Sequence, residues 1–186
     1  MIPAQQITIF CWLVFLIYWC ISARSVKPTR ERICGIGGYW HYALVFLSFL
    51  LINVRVFPLS ISLLPRSLAI GVLSSVCALL GLGIAIAARR TLAGNWSGSV
   101  TFKEDHTLIT TGIYGYMRHP IYTGVLMMFI GTALLVGTLG ALMGFLTLCL
   151  SLWFKLKQEE ALMRRHFPRD YPGYAERVKA LVPYVF

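Results

Sequence analysis

The chain has 186 residues, of which 58% are hydrophobic and only 13% are charged. A soluble domain carries roughly 25% charged residues, so this composition excludes an ordinary soluble domain and predicts an integral membrane protein. The net charge of +10 would suggest a nucleic-acid partner in a soluble chain. In a membrane chain it instead favours contact with anionic lipid headgroups and a fixed topology, and no nucleic-acid partner is expected.

Four apolar blocks follow one another along the chain, at residues 7–23, 39–56, 67–88 and 121–154. The last block is too long for one crossing, because ~20 residues span the hydrocarbon core. A weak helix stretch, GTLG at residues 137–140, interrupts it. We therefore predict an all-α integral membrane fold with five transmembrane helices, the last two forming a helical hairpin. Gly140 and Gly144 have the spacing that permits close helix approach.

The Lys and Arg residues predict the orientation of these helices. Fifteen of the 17 lie in segments 24–38, 89–120 and 155–186, which the five-helix topology places on one side of the membrane. Only Arg55 and Arg66 lie on the other side. Because cytoplasmic loops are enriched in Lys and Arg, we expect the N-terminus outside and the C-terminus in the cytoplasm. The two polar segments, 89–120 and 155–186, can then meet at the cytoplasmic face.

The motif Arg118-His119-Pro120 stands at the start of the fourth predicted helix. Proline suits the first helical position, and the unpaired N–H groups and dipole of a helix N-terminus favour an anion. Arg118 and His119 add donors at the same place, and Tyr122 follows. Basic and aromatic residues also anchor helices at the membrane interface, so an anion site and an interfacial anchor both remain open.

Two acidic residues, Glu159 and Glu160, lie on the cytoplasmic extension of the fifth predicted helix. Adjacent helical residues point about 100° apart, so only one of them can face a given pocket. Glu160 also lies four residues before Arg164, and a surface ion pair between these two is the favoured alternative.

The polar segment 95–116 contains no strong helical period before Thr111. A loop of this length is uncommon in a compact protein unless it is functional or disordered, and its apolar residues argue against disorder. It could fold over a ligand as a lid with His106 pointing inward, although a lone His in a polar loop is more often exposed. His41, beside two aromatic residues in the second apolar block, could face the bundle interior, but interfacial anchoring is the favoured interpretation.

The five cysteines show no CxxC spacing, and four of them lie in apolar runs. Buried cysteine usually behaves as a small hydrophobic residue. We therefore expect no metal site.

Three stretches of the second half of the chain carry a family pattern. They are HTLITTGIYGYMRHPIYTG at 106–124, EE at 159–160 and HFPRDYPGYAERVKALVP at 166–183. Together they resemble the isoprenylcysteine carboxyl methyltransferase family, whose relatives include the phospholipid N-methyltransferases. The resemblance implies a membrane methyltransferase that uses S-adenosylmethionine (AdoMet), in a pocket covered by a cytoplasmic loop and the C-terminal segment. The resemblance covers residues from about 95 to 183. With the apolar blocks before it, we predict a three-helix membrane region at 1–92 and a cofactor-binding catalytic region at 93–186, within one structural unit.

Carried over by position, the resemblance implies a set of cofactor-binding residues in the loop, the RHP motif and the acidic pair. They are Ser99, His106, Thr107, Leu108, Ile109, Tyr114, His119, Pro120, Ile121, Tyr122 and Glu160. The implied acceptor is an amphiphilic lipid-like or prenylated molecule whose tail enters between helices from the surrounding membrane lipids. Arg118 or Lys157 would orient a carboxylate acceptor, whereas an amine acceptor would make Glu160 or His119 a candidate base. Arg118 and Glu160 are therefore the candidate catalytic residues.

The sequence departs from the family pattern at the position that should hold an acceptor carboxylate. An arginine is expected near Leu156, which is flanked here by Lys155 and Lys157. A lysine neutralises a carboxylate but lacks the planar bidentate fork of arginine, so a phospholipid or other amine acceptor remains an alternative. Two further alternatives are an NADPH-dependent enzyme like the sterol reductases and a non-catalytic membrane scaffold.

Overall fold

Helices make up most of the chain in the computed structural model, which describes residues 2–32, 36–97, 101–103 and 107–183. Within these residues six α-helices follow one another: α1 (Ile2–Ser22), α2 (Ile36–Asn53), α3 (Leu68–Leu92), α4 (Pro120–Val136), α5 (Leu139–His166) and α6 (Tyr171–Arg177). Short 3-10 turns occur at Ala23–Ser25, Ala93–Asn95 and Gly112–Gly115.

A small antiparallel ribbon is the one departure from the predicted all-α fold among the described residues. It pairs β1 (Thr29–Arg32) with β2 (Thr101–Lys103), with Thr29 opposite Lys103 and Arg32 opposite Thr101. The strands have four and three residues, too few for an alternating pattern to mark them in the sequence. The ribbon joins the segment after α1 to the segment after α3.

Three segments of the described chain are long and apolar enough to cross a membrane: Pro3–Ser25, Leu68–Asn95 and Leu139–His166. Two further apolar helices, Trp40–Asn53 and Pro120–Val136, are shorter. Large apolar side chains such as Phe46 and Leu80 are exposed, as is typical of a surface that meets lipid. The mostly helical membrane fold agrees with the sequence, and the count of five crossings stays a prediction.

The interruption that the sequence predicts within the fourth apolar block lies between α4 and α5. Gly137 has a φ of 65°, a left-handed conformation that favours glycine, and it ends α4. Thr138 then caps α5, because its hydroxyl oxygen accepts a hydrogen bond from the N–H of Ala141 at 3.3 Å. Only two residues therefore separate these helices.

Glycines set the spacing between two pairs of helices. A Cβ atom added at Gly81 of α3 would lie 2.5 Å from the carbonyl oxygen of Gly124 in α4, and one added at Gly124 would lie 2.6 Å from that of Gly81. Cβ atoms at Gly140 and Gly144 would each lie 2.7 Å from a backbone oxygen of α2. Small residues permit this backbone-to-backbone approach, and the close contact predicted from the spacing of Gly140 and Gly144 is confirmed.

The first two helices pack mainly on different partners. α1 packs mainly on α3, and α2 packs mainly on α5. Along their described residues α1 and α2 meet at Trp12 and Phe49, whose ring centres lie 5.4 Å apart in an edge-to-face arrangement. Between this contact and the C-terminal end of α1, the space between the two helices opens into the cavity described next.

Candidate functional site

One large cavity lies among the long helices, at the end where α1 and α3 finish and α4 begins. Its volume of about 680 Å³ falls within the roughly 300–1,000 Å³ that is usual for small-molecule sites. α1, α2, α4 and α5 line it, together with Leu92, segments 95–97 and 107–109, and two tyrosines of α6. The loop and the C-terminal segment that the sequence places on one face therefore share a single cavity.

Most of the predicted cofactor-binding residues line this cavity. Those that do so are Thr107, Leu108, Ile109, Tyr114, His119, Ile121 and Tyr122. Pro120 is fully buried as the first residue of α4 and shapes the wall without lining it. Ser99 and His106 lie outside the described residues.

Arg118 connects the fifth helix to the C-terminal segment. Its Nε and Nη2 donate to Oε1 of Glu160 at 2.9 and 2.5 Å, and its Nη1 donates to the carbonyl oxygens of Ala175 at 2.9 Å and of Val178. All three guanidinium nitrogens are thus engaged by protein groups. Arg118 lines the cavity, but its donors hold the surrounding structure together.

His119 stands between the two acidic residues at the start of α4. Its Nε2 lies 3.4 Å from Oε1 of Glu160 and its Nδ1 lies 3.6 Å from Oε2 of Glu159. Its ring is stacked on that of Tyr122, with centres 5.3 Å apart. Arg118 and His119 face carboxylates and are largely buried, so the interfacial-anchor alternative does not describe them.

The adjacent acidic residues have different positions, as the 100° helical step requires. Glu159 lines the cavity. Glu160 is only 8% exposed and lies behind the wall, where Arg118 and His119 hold it. The surface pair expected between Glu160 and Arg164 is not formed, because the Arg164 guanidinium lies over the Tyr171 ring, 5.6 Å from its centre.

The two lysines near the acidic pair also lie on different sides of α5, one facing the cavity and one facing away from it. Lys155 is 8% exposed and lines the cavity, with its Nζ 4.0 Å from Oε1 of Glu159 and 5.5 Å from the centre of the Tyr122 ring. Lys157, the predicted substrate-binding lysine, does not line the cavity. It is exposed, and its Nζ lies 4.5 Å from the centre of the Trp153 ring.

His41 also belongs to the cavity, contrary to the interfacial anchoring that the sequence favours. It lines the cavity, and its Nδ1 lies 2.7 Å from Oγ of Ser151. This polar contact joins α2 to α5. The sequence favoured anchoring because the aromatic residues beside His41 are also typical of a membrane-interface belt.

The C-terminal segment packs over the start of α4. The N–H groups of Arg118 and His119 donate to the carbonyl oxygens of Lys179 and Ala180, both at 2.9 Å, and the Tyr174 hydroxyl donates to the carbonyl oxygen of Tyr114 at 2.6 Å. Burial raises the pKa of Tyr174 to about 12 and raises the pKa of Tyr114 as well. Both phenols are therefore neutral near pH 7 and act as hydrogen-bonding and packing groups.

Two lining residues carry buried polar atoms with no hydrogen-bond partner in the described part of the chain. These atoms are the hydroxyl oxygen of Tyr122 and Oδ1 of Asn95. Such atoms are rare in folded proteins and commonly indicate a missing water, ion or ligand. Asn95 is not among the residues predicted from the sequence, because it stands at the border between helix and loop, where no spacing rule applies.

Comparison with known proteins places the second half of the chain in a recognised group. A phospholipid methyltransferase family model matches residues 69–170. A probable protein-S-isoprenylcysteine O-methyltransferase of Oryza sativa subsp. indica is 34% identical over 88 residues, which are 46% of each chain. A protein-S-isoprenylcysteine O-methyltransferase of Schizosaccharomyces pombe is 36% identical over 86 residues, which are 44% of this chain and 35% of the relative. The chain spans less than half the length of these relatives.

A solved structure shares the fold. The eukaryotic intramembrane Ras methyltransferase, an isoprenylcysteine carboxyl methyltransferase, superimposes with a TM-score of 0.55 at 22% identity, over 82% of this chain and 55% of that one. Together with the three long apolar helices, this shared fold shows an integral membrane protein. The family model covers more than half of the sequence, and the resemblance found in its motifs is confirmed. The chain belongs to the phospholipid methyltransferase family.

Proposed function

We propose that the protein transfers the methyl group of AdoMet to a carboxylate on an amphiphilic acceptor, as the names of the isoprenylcysteine O-methyltransferase relatives suggest. One observation carries the proposal: a single cavity combines a polar wall of opposite charges with an apolar groove between α1 and α2. The polar wall suits a zwitterionic cofactor, and the groove suits an apolar tail. With the N-terminus outside, as the charge distribution favours, the polar wall faces the cytoplasm.

The polar wall offers partners for both charged groups at the methionine end of AdoMet. Glu159 lines the cavity as a carboxylate and would hold the amino group. His119 would hold the carboxylate, and the positive end of the α4 dipole would favour the anion at this place. The buried hydroxyl of Tyr122 lies in the same wall.

Lys155 is the residue that we assign to the acceptor carboxylate. It is a buried cation on the cavity wall, 4.0 Å from Glu159 and beside the Tyr122 ring. A carboxylate at the end of the groove would add a second negative charge beside this buried ammonium group. Lys157 points away, and the donors of Arg118 are engaged, so Arg118 and Glu160 are proposed to position the wall rather than touch the acceptor.

When bound, AdoMet supplies an electrophilic methyl carbon on a sulfonium. An ionised carboxylate already carries the electron pair that forms the new C–O bond, so the chain need not supply a general base. Lys155 keeps the acceptor ionised and aligned, and the C-terminal segment excludes water. Most of the acceleration then comes from positioning two reactants in a dry site.

The groove has a regular aromatic arrangement that would receive the acceptor's tail. Three helices each carry two aromatic residues seven positions apart, a separation of ~10 Å along a helix, and all of them except the fully buried Phe129 line the cavity. These pairs are Trp19 and Trp12 on α1, Tyr42 and Phe49 on α2, and Tyr122 and Phe129 on α4. The inner layer is closed, because Phe49 contacts both Trp12 and Phe129 at 5.4 and 5.3 Å between ring centres. The outer layer consists of Trp19, Tyr42 and Tyr122. We expect the acceptor's tail to lie between the outer and inner layers and to extend into the membrane between α1 and α2.

An amine acceptor, as in a phospholipid N-methyltransferase, is the second candidate. Glu159 favours it, because a carboxylate on the cavity wall could take the proton that an ammonium group must lose before it reacts. The two candidates differ in the product: one is an ester and the other is an amine.

In the deciding experiment, membranes containing the protein are incubated with methyl-labelled AdoMet in three separate reactions. One contains an S-alkyl thioether carboxylic acid, one contains a phosphatidylethanolamine, and the third contains no added acceptor. We expect base-labile label in the thioether acid, reduced in Lys155→Met and retained in Lys157→Met. Base-stable label in phospholipid would establish the second candidate. Absence of label everywhere, together with binding of NADPH rather than AdoMet to purified protein, would refute methyl transfer.

A further inference from the structure

The turn after α3 is held in place by a buried arginine. Arg89 is 2% exposed; its Nη1 donates to the carbonyl oxygen of Ala93 and its Nη2 to that of Ser22, both at 2.6 Å. Its guanidinium lies 4.7 Å from the centre of the Trp96 ring. Arg89 thereby joins the C-terminal ends of α1 and α3. Asn95 lies between Ala93 and Trp96, so these contacts hold the backbone on both sides of it.

Asn95 has an incomplete set of hydrogen bonds. Its side chain is nearly buried, at 9% exposure for the residue, and its Nδ2 donates to the Thr107 hydroxyl at 3.1 Å. Its Oδ1 is buried and has no partner within the described residues. Both Asn95 and Thr107 line the cavity. An unsatisfied buried acceptor destabilises a protein, and a ligand in this cavity that carries a donor would remove the penalty.

The surroundings of Asn95 suit a flat, neutral, aromatic ligand group. Trp96 and Trp19 line this end of the cavity, with ring centres 6.1 Å apart and perpendicular planes, and Leu92 adds an apolar side. The lining residues Lys155 and Glu159 belong to α5, and the Arg89 guanidinium beside Trp96 donates to two backbone carbonyl oxygens. A group bound here is therefore expected to be uncharged and to stack on an indole.

We propose that Asn95 recognises the edge of an adenine ring. Adenine combines an aromatic face with an exocyclic amine donor beside a ring-nitrogen acceptor, and the asparagine amide complements that pair of groups. Oδ1 accepts from the 6-amino group, and the second hydrogen of Nδ2 is available to the ring nitrogen while the first stays on Thr107. The proposal rests on the proposed function, in which AdoMet occupies the cavity, and it places adenine beside α3 with the methionine end toward α5.

The recognition can be tested by binding alone, without methyl transfer. S-inosylhomocysteine has a carbonyl acceptor at the 6-position, where S-adenosylhomocysteine has an amine donor, and its N1 carries a hydrogen. The bond from Nδ2 to Thr107 holds the asparagine amide with Oδ1 toward the 6-position, so the inosyl carbonyl opposes Oδ1. Calorimetric titration of the full chain in detergent should show that the adenosyl compound binds at least tenfold more tightly, since a lost hydrogen bond and an opposed pair of acceptors both count against the inosyl compound.

Variants of two asparagines separate recognition from folding. Asn95→Leu should weaken binding of the adenosyl compound about tenfold or more and bring the ratio of the two affinities close to one. Asn95→Asp retains an oxygen acceptor and should keep a preference for the adenosyl compound. Asn53→Leu is the matched control, because Asn53 lies exposed at the end of α2 and bonds to a backbone carbonyl of its own helix.

The outcomes distinguish this inference from the function on which it rests. If the wild-type protein binds both compounds equally, or Asn95→Leu keeps the full preference, adenine recognition by Asn95 is wrong while AdoMet use stands. If neither compound binds, the cofactor assignment fails and the inference fails with it. A wild-type preference that only the Asn95→Leu variant loses would support the proposal.

Discussion

Arg118 holds the C-terminal segment over the cavity, so its replacement tests the closed site directly. Arg118→Met keeps most of the aliphatic stem but removes the donors to Glu160, Ala175 and Val178. Glu160 would remain 8% exposed, with His119 at 3.4 Å as its remaining ionic partner among the described residues. The variant therefore leaves a buried carboxylate largely uncompensated.

The size of the effect follows from the burial of the pair. Removing one partner of a buried ion pair destabilises a protein by ~3–5 kcal/mol. Because the two side chains keep 11% and 10% exposure and His119 remains close, we take the lower end, ~3 kcal/mol. Each 1.36 kcal/mol is a factor of ten, so opening of the segment from Tyr171 to Leu181 should become roughly a hundredfold more favourable.

Hydrogen exchange read by mass spectrometry measures this opening in detergent-purified protein. The amides of Tyr174 and Val178 are bonded in the closed segment and should exchange roughly a hundredfold faster in Arg118→Met, since exchange follows the opening equilibrium. Arg177→Met changes an exposed arginine of the same segment and should change the exchange rate little. Arg118→Met combined with Glu160→Met removes the uncompensated charge and should restore part of the protection. Unchanged exchange in the single variant, or fully additive losses in the double variant, would refute the reasoning.

Three further predictions concern packing, the acceptor and pH. Gly124→Ala should destabilise the protein by ~1–3 kcal/mol in thermal unfolding, because its Cβ would lie 2.6 Å from the backbone of α3, whereas Gly83→Ala, with no atom within 4 Å, should change little. Lys155→Met should raise KM for a carboxylate acceptor about tenfold or more without weakening calorimetric binding of AdoMet, because Glu159 loses a neighbouring cation. Lys157→Met should leave both quantities unchanged, and equal KM effects in both variants would contradict the assignment. The pKa of Tyr174 is raised to about 12 from about 10 when unfolded, so the fold favours the neutral phenol. Its stabilising contribution is complete below about pH 10 and is lost as pH rises toward about 12, and Tyr174→Phe should flatten thermal stability across that range.

The sequence predicts those parts of the fold and site that follow from the lengths of apolar runs and the distribution of charged residues. Apolar run length and the break at Gly137 predict the long helices, since backbone groups in lipid must be satisfied within helices. The clustering of Lys and Arg on one side predicts that the loop and the acidic helix extension can meet, and Thr107 and Glu159 do line one cavity.

Helical phase and loop packing explain what the sequence does not predict. Neighbouring helical residues differ by about 100°, so choosing between Glu159 and Glu160 requires the rotation of α5, which its packing on α2 determines. Asn95 lies in a turn whose course depends on Arg89 reaching the end of α1, a contact between residues 67 positions apart. No local pattern carries that information.

The balance of charges in the cavity favours a carboxylate over an amine as the acceptor. Lys155 and Glu159, 4.0 Å apart, carry opposite charges, and AdoMet bound as proposed would add one net positive charge. A carboxylate acceptor restores neutrality, whereas a neutral amine leaves one uncompensated charge in a site that excludes water, where charge is strongly disfavoured. Leu156, near which the family pattern expects an arginine, is 2% exposed and packs in the apolar core on a different face of α5. Of the two lysines that flank Leu156, only Lys155 lines the cavity, and for that reason we favour an acid over an amine as the molecule to be methylated.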